Sequence, residues 1–379
     1  MPDPFRLFVV AGEPSGDRLG AELLKRLRIE TSVQPLGIGG PELEGEGLKS
    51  LFPMSNLSVM GVSDVLKRLP LLYLRVIQTA GAIRRLAPDL VVFIDSQVFS
   101  ESVALRLRKA GYRGKILLYV APSVWAWKPE RAPKLRPLYD EILAILPFEP
   151  AVMKRLGGPR TTYVGHPALH GSPLRTVQPE TGPLLLLPGS RSGELRRHLP
   201  LMGEVATAMQ SHPRISELVL PTVRNQLGAV TSEVAKWKLP IRITANSDEK
   251  RRAFTDAVAA VAVSGTVTLE LALAGVPMIT TYVADRGQMD AAKKYAVKYA
   301  ALPNILYDGE LVPEIIGTAP QASSVVGALR GLLDDPSSME LQRQGYSQIR
   351  AKMERGMPSA PLHKAADRIL DYFRLLRGT

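Results

Sequence analysis

Two carboxylates stand where a phosphate-binding turn would carry a cation. Residues 9–17 read VVAGEPSGD, a strand-like pair of valines running into Gly12 and Gly16 at the start of a helix. Such glycine-rich helix entries cradle phosphates through backbone N–H groups and the helix dipole. Here Glu13 sits inside the turn beside Ser15, and Asp17 follows. Carboxylates repel phosphate but accept hydrogen bonds from hydroxyls, so a sugar suits this turn better.

A second helix entry has the opposite character. In LLLLPGSRSGELRRHLP (184–200) an apolar strand delivers Gly189, Ser190 and Arg191 to a helix start. Free N–H groups, the positive end of the dipole and a guanidinium fork suit a diphosphate. Arg196 and Arg197 either assist or are solvated. The stretch AVSGTVTLELALAGVPMI (262–279) repeats the arrangement with Ser264, Gly265 and Thr266. Glu270 is the only charge between Ala257 and Ala284. An unpaired buried carboxylate is costly, so Glu270 either faces a cleft, where ribose hydroxyls would meet it, or forms a hidden ion pair.

Asp95 ends the apolar run VVFID, where a general base would sit and where many aspartates cap the next helix. The segment YVAPSVWAWKPERAPKLR (119–136) sets Trp125 and Trp127 in a proline-bounded loop followed by basic residues. It reads as an acceptor pocket, a membrane interface, or core packing. The stretch 59–77, VMGVSDVLKRLPLLYLRVI, mixes Leu71, Leu72 and Leu74 with Lys67, Arg68 and Arg75. It reads as a core helix or an amphipathic membrane-facing one. His166 and His170 have the spacing of helical zinc ligands, but Pro167 stands between them and no Glu accompanies them, so no metal site is expected.

The elements that must carry these residues alternate. Strand-like runs at 6–12, 33–40, 90–95, 115–120, 141–148 and 161–165 are separated by helical patterns, the longest at about 62–86. A proline-rich stretch, 165–183, breaks the periodicity. Strand-like runs resume at 184–189, 217–221, 241–244, 257–265 and 276–283, and the last sixty or so residues read as helical. This is the pattern of an α/β protein with two Rossmann-like domains, at 1–166 and 167–360, facing each other across a cleft. Residues 361–379 form a last helix that packs back on the first domain or on a partner subunit.

Composition narrows the chemistry. The chain of 379 residues has no cysteine, which excludes disulfides, thiolate nucleophiles and thiolate metal sites. The opening residues show no secretory signal, and Leu271–Ala284 is too short an uncharged run to span a membrane. A cytoplasmic location is the expectation. A net charge of +12 favours anionic partners, but no zinc-finger spacing or aromatic-rich RNA-binding strand accompanies it, so nucleic acid is not expected.

Taken in order, AGEPSGDRLGA, VMGVSDVL, PDLVVFID, YVAPSVWAWKPER, LPFEP, VGHP, LLPGSR, SGTVTLELALAGVPM and LPNIL resemble the lipid-A-disaccharide synthase family from residue 11 to 306. The resemblance implies a GT-B fold and an inverting transfer that needs no metal or other cofactor. The donor is UDP-2,3-diacylglucosamine, and the acceptor is the 6-hydroxyl of lipid X, 2,3-diacylglucosamine 1-phosphate. Both are acylated, which implies work at the anionic inner face of the cytoplasmic membrane; a homodimer is among the assemblies the family allows. On this reading Asp95 is the base and Glu13 a second acid. Gly189, Ser190, Arg191, Ser264, Gly265, Thr266, Glu270 and Asn304 serve UDP. Ser15, Trp125, Trp127, Leu71, Leu72 and Leu74 face acceptor or membrane. One departure stands out: the family usually continues from its aspartate with Ala-Pro-Asp-Phe, whereas this chain reads Ser96-Gln97-Val98-Phe99. Alternative readings are a UDP-N-acetylglucosamine 2-epimerase, another GT-B transferase, or a non-catalytic UDP-sugar or lipid-binding module.

Overall fold

Apolar runs too short for helices become buried parallel strands, because each following helix returns the chain to the same end of its sheet. The computed structural model describes residues 3–57, 62–171, 174–175 and 177–378, without the side chains of residues 62–67 and of His170. The chain divides into two units, Met1–Pro167 with Arg355–Thr379, and Ala168–Glu354.

The first unit holds β1 (Phe5–Ala11), β2 (Val33–Ile38), β3 (Leu90–Ile94), β4 (Lys115–Tyr119), β5 (Glu141–Ala144) and β6 (Thr161–Tyr163). They form one sheet in the order β2-β1-β3-β4-β5-β6, every pairing parallel. The two-residue strand period divides β1 between two layers. Phe8 and Val10 face α3 (Val62–Leu86) and α4 (Gln97–Lys109). Leu7 and Val9 face α1 (Pro14–Glu30), with Leu23, Leu24 and Leu27, and the final helix Ala365–Arg377, with Ile369 and Leu370.

A buried charge pair ties that last helix down. Glu141 is fully buried at the start of β5, and Arg368 donates to its Oε2 at 2.9 Å and to its Oε1 at 3.2 and 3.3 Å. Removing Arg368 would leave the buried Glu141 carboxylate with Arg160, 3.7 Å away, as its remaining cationic partner, and breaking buried pairs of this kind typically costs about 3–5 kcal/mol.

Asp17 corrects the expectation that both carboxylates of the opening turn meet hydroxyls. It is 2% exposed and accepts from the N–H groups of Gly40, Glu42 and Leu43 at 2.8, 3.0 and 3.2 Å. These are free donors at the start of α2 (Pro41–Gly45). Asp17 is therefore a structural cap, and the turn keeps one carboxylate, Glu13, for solvent or ligand.

The second unit holds β7 (Gly182–Leu187), β8 (Ile215–Pro221), β9 (Ile241–Thr244), β10 (Ala259–Val263), β11 (Met278–Val283) and β12 (Glu314–Gly317). Their order is β12-β11-β10-β7-β8-β9, again all parallel. This is the Rossmann order, winding outward both ways from β7. β12 lies between the last strand-like run, 276–283, and the helical last sixty or so residues, where the sequence pattern points to no element. Its four residues, EIIG, are only half-buried at the sheet edge and carry no sustained apolar run.

Candidate active-site loops

In each six-stranded sheet the strand order reverses once, between β1 and β3 in the first unit and between β7 and β10 in the second. Ligands of open α/β sheets bind beyond the carboxyl ends of the strands at such points. The expected reactive residues lie there. Ala11 pairs with Ile94, so Gly12 and Asp95 leave neighbouring strands side by side. The approach is close enough that a Cβ on Gly12 would come within 2.1 Å of Ser96 Oγ, which is why glycine precedes Glu13.

The backbone at the base candidate is strained. Asp95 and Ser96 have φ of +53° and +46°. Non-glycine residues adopt this region at a cost of roughly 1–3 kcal/mol each when surrounding contacts impose it. Those contacts are present: Asp95 N–H donates to Tyr119 O at 2.9 Å, and Ser100 Oγ donates to Asp95 O at 2.9 Å. The cap position of α4 is Ser96 rather than Asp95. Glu13 and Ser15 are exposed, and Val98 is 81% exposed.

The neighbouring loop is strained as well. Val120 at the end of β4 has φ +78°, rare for a β-branched residue, and Lys128 closes the loop at φ +52°. Trp125 is half-buried against Phe148, ring centroids 5.3 Å apart. Its Nε1–H donates to Glu149 Oε1 at 3.3 Å, and Leu146 N–H donates to Glu149 Oε2 at 3.0 Å. Burial pushes the Glu149 carboxyl up to about 8, against these hydrogen bonds. Glu149, in the LPFEP segment, was not singled out from sequence; its link to Trp125 crosses 24 residues. Trp127 is 43% exposed, with Lys128 Nζ 5.3 Å from its ring centroid.

The leucines of α3 separate by helical phase. Leu72 packs against the core and Leu71 is half-buried, whereas Leu69, Tyr73 and Leu74 are exposed. The expectation that Leu71, Leu72 and Leu74 form one outward face is thereby corrected. Positions 69 and 73 share a face four residues apart, while 72 and 76 share the buried one. Residues 58–61, which begin the expected 59–77 helix, lie outside the described residues. Among the described residues no helix is long and apolar enough to cross a membrane.

In the second unit Gly189, with φ +102°, leads Ser190 and Arg191 into the helix Ser192–Met209. Arg191 is exposed, as is Arg196; Arg197 is half-buried and bonded to Asp285 at 3.3 Å. Ser264, Gly265 and Thr266 follow β10, and Thr222 follows β8, the two strands that flank β7. Ser264 Oγ and Thr222 Oγ1 are buried and have no hydrogen-bond partner among the described residues. Thr222 was missed from sequence because nothing in LPTVRN distinguishes it from an ordinary strand end. Glu270 resolves as a half-exposed ion pair, its Oε2 2.6 Å from Lys250 Nζ.

Asn304 is a correction. It is fully buried; its Nδ2 donates to Val312 O and Glu314 Oε1, and its Oδ1 accepts from the N–H groups of Leu311 and Val312, all within 2.9 Å. Its amide is spent on holding the 311–314 turn and does not present itself to a nucleotide. His166 is buried at 7% exposure. Among the described residues no cluster of three His, Asp or Glu side chains is placed to hold a metal. A recess of about 440 Å³ lined by Arg108, Arg113 and Arg136 lies where β4 and β5 begin, the opposite end of the first sheet from Asp95.

Comparison with known proteins follows this geometry. A family model described as lipid-A-disaccharide synthetase matches residues 7–365. The chain is 41% identical to a lipid-A-disaccharide synthase of Nitrobacter winogradskyi, over 98% of this chain and 97% of that one. It is 39% identical to one from Rhodopseudomonas palustris, over 96% and 95%. Among solved structures, the glycotransferase of kitacinnamycin superposes with a TM-score of 0.61 at 15% identity, covering 98% of this chain and 100% of that one. A UDP-N-acetylglucosamine 2-epimerase attributed to Listeria monocytogenes gives 0.61 at 14%, covering 100% and 98%. At such identities the structural likeness speaks for the fold alone, the two-Rossmann architecture of the GT-B class.

Glu149 generates a prediction about pH. Folded, its carboxyl holds a proton up to about pH 8; unfolded, it releases it near its ordinary value of 4.5. Between these values the folded chain binds the extra proton, so its stability falls as pH rises through the window. Glu149→Gln should remove that slope, a difference on the order of 4–5 kcal/mol across the window. Urea unfolding followed by tryptophan fluorescence at about pH 5, 7 and 9 measures it. A wild-type-minus-variant difference that stays constant with pH would show that Glu149 does not gain a proton on folding.

Proposed function

This chain belongs to the lipid-A-disaccharide synthase family and is a glycosyltransferase of lipid A biosynthesis, and we propose the following division of labour among its residues. The function rests on the family match along residues 7–365, which also disfavours the epimerase and binding-module readings. The residue assignments rest on one observation: the loops bearing Asp95 and Arg191 leave their sheets where the strand order reverses.

The 6-hydroxyl of the acceptor attacks the anomeric carbon of UDP-2,3-diacylglucosamine from the face opposite UDP. The new C–O bond forms as the bond to the diphosphate breaks, and the configuration inverts. Asp95 accepts the hydroxyl proton, because attack by the neutral alcohol would leave a positive oxygen in the transition state. Its strained, contact-held backbone fixes the carboxylate in advance of the reaction. Glu13, exposed next to the Gly12–Ser96 contact, accepts from acceptor hydroxyls, with Ser15 beside it.

UDP leaves as a diphosphate whose negative charge grows in the transition state. Arg191, the N–H groups of Ser190 and Arg191, and the positive end of the following helix stabilise that charge. Gly189 lets the phosphate approach the backbone. Ser264 Oγ supplies a buried hydroxyl in need of a partner, and Gly265 and Thr266 continue that helix entry. Glu270 receives the ribose hydroxyls with the side of its carboxylate that Lys250 leaves open.

Acylated substrates stay in a leaflet, so the acceptor-side unit must approach it. The surface suited to that is Leu69, Tyr73 and Leu74 with exposed Arg68 on α3, together with Trp127 and Lys128. Basic residues near anionic lipid contribute about 1 kcal/mol each.

Two variants assayed for UDP release from UDP-2,3-diacylglucosamine and lipid X separate these roles. Asp95→Asn should lower turnover by about 10²–10⁴-fold and leave UDP affinity unchanged; near-normal turnover would move the base elsewhere, with Glu13 the next candidate. The double variant Leu69→Ser/Leu74→Ser alters exposed residues only. It should lose sedimentation with anionic vesicles and slow turnover on vesicle-borne substrate, while keeping turnover on detergent-dispersed short-chain substrate. Undiminished vesicle binding would place the membrane surface elsewhere.

A further inference from the structure

The seat proposed for the leaving diphosphate already contains an anion, and it belongs to the chain. Glu194, three residues past Arg191 in the first turn of the helix Ser192–Met209, turns its carboxylate back over the helix start. Its Oε2 accepts from the N–H groups of Ser190 and Arg191 at 3.1 and 3.3 Å, and its Oε1 accepts from Arg191 Nη1 at 3.0 Å. The fit is tight: a Cβ on Gly189 would come within 2.6 Å of Glu194 Oε2. These are the three donors that a diphosphate would use. A carboxylate and a phosphate cannot share them, since like charges at hydrogen-bond separation repel strongly.

We propose that Glu194 is an internal counter-ligand for the nucleotide seat. It holds the Gly189–Arg191 loop in its binding shape while the seat is empty of nucleotide, is displaced by the diphosphate of the arriving UDP-sugar, and returns as UDP leaves. This rests on the reading of the loop as the diphosphate seat.

Three observations favour exchange over a fixed helix start. The backbone beneath Glu194 is held without its carboxylate. Val283 N–H donates to His198 Nε2 at 2.9 Å, so Nδ1 carries the ring proton and donates to Glu194 O at 2.7 Å. Gln226 Nε2 donates to Ser192 Oγ at 3.1 Å in the same turn. The turn therefore keeps its shape when the carboxylate swings out. Secondly, the Arg191 side chain is 73% exposed, so an anion arriving from solvent meets its guanidinium directly. Thirdly, Glu194 satisfies only part of the surroundings. The buried hydroxyls Thr222 Oγ1 and Ser264 Oγ, just past the ends of the strands either side of β7, find no partner among the described residues. A carboxylate has two oxygens for this loop; a diphosphate has more, enough to take the loop donors and reach hydroxyls beside them.

Calorimetric titration of the full chain with UDP, inorganic pyrophosphate and uridine tests the proposal. Glu194→Gln keeps the shape and the backbone contacts but removes the competing charge. UDP and pyrophosphate should bind roughly 5- to 20-fold more tightly than to wild type, the effect of one displaced charge-assisted contact set. Uridine, which lacks phosphate, should bind unchanged. Glu194→Asp retracts the carboxylate by one methylene and should tighten pyrophosphate binding in the same direction by less, which covers the case in which the Gln variant does not fold. If the folded variants bind UDP and pyrophosphate no more tightly than wild type does, Glu194 is a helix-start residue only and the proposal fails. If wild type binds neither UDP nor pyrophosphate, the reading of the loop fails, and the proposal with it.

Discussion

The constraint on which everything else depends is that every strand of both six-stranded sheets runs parallel. A parallel strand can be re-entered only from the far end, so all loops leaving the strands gather on one side. Adjacent loops are drawn apart only where winding reverses, between β1 and β3 in one unit and β7 and β10 in the other. Asp95 beside Gly12, and Gly189 beside the Ser264 loop, are the residues the chain places at those two points. Their neighbours store strain there, at Asp95, Ser96 and Val120, and the layers of buried valine, leucine and isoleucine below hold it in place.

The two units use opposite electrostatics at equivalent positions. The helix after β1 begins with an exposed carboxylate, Glu13, and the helix after β7 begins with an exposed guanidinium, Arg191. Both helices offer positive N-termini, so the side chains decide which anion or hydroxyl is welcome. The hydroxyls of an acceptor sugar suit the first, and a departing diphosphate the second. The same logic explains why Asp17 is withdrawn into the interior as the cap of α2, leaving the first turn with one outward carboxylate instead of two.

Features carried by local pattern were legible in the sequence. Apolar runs located eleven strands, glycine spacing located both helix entries, and the ordered motifs led to the family. Features made by contact across the chain were not. Asn304 sits in a recognisable motif, but its four hydrogen bonds depend on where residues 311–314 return. Leu72 and Leu74 look alike in a leucine run, and only helical phase sends one inward and the other out. Glu270, the lone charge of an apolar run, reads as either cleft-facing or paired, and Lys250 supplies the pair from another helix. Glu149 and Thr222 drew no attention because burial, which gives each its character, has no signature in isolated residues. β12 escaped because four half-buried edge residues carry no period.

The central claim is that the nucleotide belongs to the second unit's helix entry and the acceptor to the first. A crystal structure of the full chain with UDP tests it most directly. The diphosphate should lie on the N–H groups of Ser190 and Arg191, with the carboxylate of Glu194 displaced and the ribose toward Glu270. A diphosphate seated instead on the Glu13–Gly16 turn of the first unit would contradict it.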